Sequence, residues 1–100
     1  MAQITPRQRA ILKALAHSLR PVQHVGKEGV TDTLVRSVVD ALNNRELIKV
    51  RVLETAPADA QEIGNELASR IDDASLVQVI GRMLVIYRRH PENPQITLPG

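Results

Sequence analysis

The sequence predicts an α/β domain: one mixed four-stranded sheet carrying three helices, in the order α-β-α-β-α-β-β. Three observations predict it. Apolar residues recur at helical spacing in three segments, such as Leu34, Val35, Val38, Val39 and Leu42. Short β-rich runs separate those segments, as where Ile48, Val50 and Val52 alternate with Lys49 and Arg51. Two final apolar runs are joined by Gly81-Arg82, a connection whose leading glycine is a hairpin signal. Strand–helix–strand units imply parallel neighbours, and the hairpin adds an antiparallel pair.

The elements follow in order. Thr5 caps the first helix, Pro6 takes its first position, and Gln8 completes a capping box. The helix runs to about Ser18, with Ile11, Leu12, Leu15, Ala16 and Leu19 on one side. Arg9, Lys13, His17 and Arg20 fall together on another edge, and no acid occurs between Met1 and Gly26 to neutralise them. Pro21 stops the helix, and Val22 to Val25 reads as a short strand. Gly26-Lys27-Glu28-Gly29 then forms a glycine-bracketed turn into a helix from about Thr31 to Asn44. Thr31 or Asp32 supplies the cap, and Asn43-Asn44 offers a left-handed exit.

Leu47 to Leu53 is the second strand, and its Lys49/Arg51 face is expected to be wet. Ala56-Pro57-Ala58 opens a third helix that reaches about Ile71. Gly64 in mid-helix costs stability relative to alanine, which implies close packing against the sheet. Asp72-Asp73 marks a turn, and Ser75–Ile80 and Met83–Arg88 are the hairpin strands. Residues 1–90 read as one domain and 91–100 as a proline-punctuated tail extended along its surface.

Composition narrows the function. A chain of 100 residues with 43% apolar and 24% charged residues is globular, with enough apolar material for one core. No apolar run approaches a membrane span, and the first residues lack a signal-peptide layout, so the expected location is the cytoplasm. The absence of cysteine excludes disulfides, thiolate zinc sites and a cysteine nucleophile. Net charge is only +2, but residues 1–51 hold nine Lys/Arg against four acids, and residues 52–100 hold four Arg against seven acids. That asymmetry suggests a basic face toward a polyanion and an acidic back.

The chemistry-bearing groups point away from catalysis. His17, His24 and His90 show no ligand spacing, and a metal site needs three or four converging ligands. No Ser or Thr stands in a nucleophile-elbow context, and the glycine turn is too short for a Walker loop. No cofactor site is expected. The turn does suit a phosphate, because glycine lets a ligand approach the backbone and a helix start adds N–H groups. The tetrapeptide alone fits better a turn that simply needs two glycines and carries a solvated lysine, because GxxG is a weak pattern. The candidate binding residues are Gly26, Lys27, Glu28 and Gly29 in the turn, with His24 beside it. Arg9, Lys13, His17 and Arg20 on the helix edge, Lys49 and Arg51 on the strand, and Arg82 in the hairpin complete the set. Glu28 places an acid inside the clamp, so not all four turn residues suit a phosphate. With no Phe, no Trp and only Tyr87, the chain lacks aromatic platforms for bases, so binding is expected through the backbone, with weak sequence readout.

Several separated stretches together resemble the CRM domain, the chloroplast RNA splicing and ribosome maturation family. They are Leu12…Leu15-Ala16-His17 with Leu19 and Pro21-Val22; Val25-Gly26-Lys27-Glu28-Gly29-Val30-Thr31; Glu46-Leu47-Ile48-Lys49-Val50; Val77 to Arg82; and Val85-Ile86-Tyr87-Arg88. Nearly the whole chain is covered, and it looks like a stand-alone bacterial YhbY-like member. The resemblance implies a fold similar to the C-terminal domain of translation initiation factor three. It implies RNA binding with Gly26, Lys27 and Gly29 at the RNA surface. For bacterial members it implies association with ribosomal RNA of large-subunit precursors and a role in assembly rather than catalysis. The reading is therefore a monomeric RNA-binding module, neither an enzyme nor a membrane protein. The alternative is a protein-interaction module whose basic face meets an acidic partner.

Overall fold

The computed structural model describes residues 4–99. Residues 1–3 and 100, the outer ends of the expected domain and tail, lie outside the described residues. Helix α1 spans Pro6–Ala16, strand β1 Pro21–Val25, helix α2 Asp32–Asn44, strand β2 Leu47–Val52, helix α3 Ala60–Ser69, strand β3 Ser75–Ile80 and strand β4 Met83–Tyr87. The strands form one four-stranded sheet in the order β1-β2-β4-β3. β1 and β2 are parallel, and the other two pairings are antiparallel. This is the element order and mixed sheet that the sequence predicts.

Local chemistry sets the ends of the elements. The Thr5 hydroxyl accepts the Gln8 N–H at 3.1 Å, and the Gln8 side chain accepts the Thr5 N–H at 3.0 Å, which is the expected capping box. α1 ends at Ala16, two residues before the sequence reading, and Leu19 N–H closes a last turn on the Ala16 carbonyl at 3.0 Å. Arg20 therefore lies beyond the helix. Leu12 and Ala16 are buried, whereas Leu15, expected on the same stripe, is 46% exposed.

The third helix starts later than expected, at Ala60 rather than Ala56-Pro57-Ala58. The Asp59 carboxylate accepts the Glu62 N–H at 2.9 Å, and that side-chain cap outcompetes the alanine-proline opening. The helix ends at Ser69 instead of about Ile71. α2 leaves directly into extended Arg45, at φ −141°, with no left-handed exit at Asn43-Asn44. Gly64 bears out its reading: a Cβ there would sit 3.0 Å from Leu76 Cδ2 and 3.1 Å from Leu84 Cδ2, so α3 lies close against the sheet.

Two cores form, one on each face. α2 and α3 cover the first face, where Leu34, Val38, Leu42, Ile63 and Leu67 meet Val25, Ile48, Val50, Val52, Leu84 and Ile86. α1 crosses the second face, where Leu12 and Ala16 meet Leu47, Val77, Val85 and Tyr87. The tail does more than run along the surface. Ile96 and Leu98 pack onto this second core, and the Gln8 side-chain amide donates to the Pro99 carbonyl at 2.7 Å.

Candidate nucleic-acid interface

The second face of the sheet opens in steps, and register makes the steps legible. Registered neighbours on adjacent strands point to the same side. At one end Leu47, Tyr87 and Ser75 form a row that is buried under α1 and the tail. The next row is Lys49, Val85 and Gln78, with Lys49 and Gln78 half-buried. The last is His24, Arg51, Met83 and Ile80, where His24 and Arg51 are exposed and Ile80 is 51% exposed. The alternation of Lys49 and Arg51 with buried Ile48, Val50 and Val52 puts both cations on this face. Arg51 is exposed there.

α1 follows β3 toward the open end. Between them lies a groove of about 490 Å³ lined by Lys13, Ala14, Ala16, His17, Lys49, Gln78 and Ile80. Lys13 and His17, one turn apart on the helix, therefore stand over Lys49 on the strand. The expected helix-edge and strand cations form one surface at these positions.

The glycine turn closes the same end. The Gly29 N–H donates to the Gly26 carbonyl at 3.0 Å, leaving Lys27 and Glu28 exposed at the corner. Gly29 has φ +68°, and a Cβ there would meet Pro57 Cγ at 3.0 Å, so only glycine fits. Gly26 is different, because a Cβ would find only ordinary contacts with Thr55 Oγ1 at 3.8 Å and Leu53 Cδ1 at 3.9 Å. The Leu53 N–H donates to the Val25 carbonyl at 2.8 Å, and the Val52 N–H donates to the Arg82 carbonyl at 2.7 Å. These bonds gather the glycine turn, the end of β2 and the Gly81-Arg82 hairpin at one edge of the sheet.

The α2 end beside the turn is less open to an anion than the sequence suggests. The Thr31 hydroxyl takes the Leu34 N–H at 3.1 Å, and Asp32 adds a carboxylate to the first turn. Asp32 is paired with Arg70, whose guanidinium also donates to the Val30 carbonyl at 2.8 Å. Two expected cations stand apart from the surface. The Arg9 guanidinium donates to the carbonyls of Leu76, at 3.1 Å, and Val77, and so caps the outer edge of β3. Arg20 lines a separate hollow with Asn44, Arg45 and Val22 near the β1 edge. The Arg88 guanidinium donates to the Asn43 side-chain oxygen on α2.

Sequence reasoning missed Glu46. Its side chain is buried, and its carboxylate accepts the main-chain N–H groups of His90 at 2.8 Å and of Gln95 and Ile96 at 2.7 Å. Burial pushes this carboxyl up, but the three N–H donors and His90 outweigh it and hold it below the usual carboxylate value. The neighbouring Tyr87 hydroxyl is pushed up by burial and by the Glu46 charge. The only sequence signal was an acid directly preceding a buried strand. Its partners are backbone groups, which composition and periodicity do not reveal. Among the described residues no group of three or more His, Asp or Glu is placed to hold a metal ion. Among the same residues no helix is long and apolar enough to cross a membrane.

A three-helix α/β fold that presents a glycine turn and a basic sheet end defines a class of small domain with an open polar face. The chain belongs to the CRS1/YhbY (CRM) domain family, whose model matches residues 4–88. It is 40% identical over 96 residues to a Bacillus subtilis protein named as a probable RNA-binding protein, covering 96% of this chain and 99% of that one. It is 39% identical over 99 residues to a Haemophilus influenzae protein named as RNA-binding, covering 99% and 98%. The solution structure of a hypothetical Staphylococcus aureus protein, described as a candidate RNA-binding protein, superposes with a TM-score of 0.81. That structure is 42% identical, with 97% of this chain and 100% of that chain covered.

Proposed function

We propose that this protein binds ribosomal RNA of large-subunit precursors and assists ribosome assembly without catalysing a reaction. The observation that carries the binding reading is the open end of the sheet. Lys13, His17, Lys49 and Arg51 share one surface there, with the Gly26–Gly29 turn and Arg82 at the same edge. Basic side chains beside a glycine turn suit a polyanion that is held by its phosphates. The RNA-binding names of the relatives point the same way, and the assembly role rests on the family resemblance. The protein acts in the cytoplasm as a monomer, with Lys27 as a mobile phosphate contact at the turn.

Binding of purified ribosomal RNA across a salt series tests this reading. Affinity is expected to fall steeply with salt, in proportion to the phosphates neutralised. Lys27→Glu is expected to weaken binding to every RNA tested and to flatten that slope. A variant with unchanged affinity and slope removes Lys27 from the interface.

A further inference from the structure

We propose that His24 and Arg51 form a platform for one unpaired RNA base beside the Gly26–Gly29 turn. The proposal rests on the RNA-binding reading above and deepens it from phosphate contact to base contact. The only aromatic of the sheet, Tyr87, is 5% exposed in the buried row and offers no face to a ligand. Imidazole rings and guanidinium planes also stack bases. The open row carries one of each. His24 on β1 is the register partner of Arg51 on β2, both are exposed, and both lie on the open face. Adjacent strands lie about 4.8 Å apart, so the two side chains leave the sheet side by side, close enough to serve one base together. Met83 is the register partner of Arg51 on its other side and half-buried, so it continues the row as a polarisable apolar floor.

The position gives the platform a use. His24 is two residues before Gly26, so a backbone at the turn leaves its base next to the imidazole. Lys49 lies two residues before Arg51 on the same face, and Lys13 and His17 line the groove beyond it. Neighbouring phosphates of the same strand therefore have cations to meet. Phosphate contact alone needs only charge at position 51 and any donor at position 24. A flat face at both positions is what a base requires.

The test uses an RNA hairpin with an unpaired loop and the same hairpin with abasic ribose throughout the loop. Both are titrated across a salt series with the wild type and with His24→Ala, His24→Phe and Arg51→Lys. All three substitutions fall on exposed side chains, so the fold is retained. The wild type is expected to prefer the base-containing loop by about fivefold or more, the effect of one stacked base. His24→Ala and Arg51→Lys are expected to lose that preference, Arg51→Lys with its salt slope unchanged, while His24→Phe keeps it. Equal binding of both hairpins by the wild type overturns the platform. So does a His24→Phe that falls with His24→Ala beside an Arg51→Lys that matches the wild type, since that is the pattern of phosphate donors. Failure of the wild type to bind either hairpin or ribosomal RNA overturns the RNA-binding reading itself, a separate result.

Discussion

The carboxylate of Glu46 accepts the main-chain N–H of Ile96 at 2.7 Å, tying the start of β2 to the tail fifty residues later. The N–H groups of Gln95 and His90 complete the cup. This junction holds Ile96 and Leu98 on the second core and keeps the Tyr87 row covered.

Replacing Glu46 with glutamine removes a charged acceptor and turns a donor amide toward backbone donors. The expected loss is about 1.5–3 kcal/mol in urea unfolding, the range for hydrogen bonds to a charged group. The tail can lift off and rehydrate, so the loss is bounded by what tail docking contributes. In a chain cut after His90 the same substitution is expected to cost less, and that non-additivity is the readout of direct coupling.

The sign of the pH effect follows from the lowered carboxyl. A group that ionises more readily when folded contributes stability that is fully present above its ordinary value of 4.5. The contribution is lost as pH falls through the folded value. The advantage of the wild type over Glu46→Gln is therefore expected to be constant at neutral pH and to shrink below pH 4.5. Urea midpoints measured down the pH scale check it, and an advantage that grows on acidification contradicts it.

The two glycines of the turn are expected to separate folding from binding. Gly29→Ala forces a side chain into φ +68° against Pro57 and is expected to cost about 1–2 kcal/mol or more. Gly26→Ala meets only ordinary contacts, so stability is expected to stay within about 0.5 kcal/mol. If RNA approaches the backbone there, Gly26→Ala weakens RNA binding in a fully folded protein. Thermal unfolding and RNA titration of both variants read the two effects apart.

Arg9 and Lys13 are one helical turn apart and are expected to fail in opposite assays. Arg9→Ala removes the guanidinium that caps the β3 carbonyls and is expected to lose about 1 kcal/mol of stability with little change in salt slope. Lys13→Ala is expected to leave stability unchanged and to reduce the salt slope by about one unit.

These pairs also show what the sequence could and could not reveal. The capping box at Thr5, the alternation through Lys49 and Arg51 and the close approach at Gly64 are local patterns, and each stands where the residues indicated. Arg9 and Lys13 looked equivalent because periodicity reports a shared edge, not which carbonyls lie beside it. Arg20 stands away from the Lys13–His17 groove because α1 closes its last turn at Leu19. The late start of α3 turned on one side-chain acceptor, Asp59, set against an alanine-proline signal of comparable strength. Glu46 was invisible because it binds backbone brought back by the tail. The pairing of His24 with Arg51 is not legible in the sequence because it exists only across a register that no single strand displays.

We propose that this protein rides on large-subunit precursors through RNA. Sedimentation of the native protein from a cell lysate through a sucrose gradient at low salt, with and without RNase, tests it most directly. The account predicts co-migration with large-subunit or precursor particles, lost after RNase and at high salt. A protein that stays at the top of the gradient under gentle conditions contradicts it. Co-migration that survives RNase would replace RNA with a protein partner for the basic face.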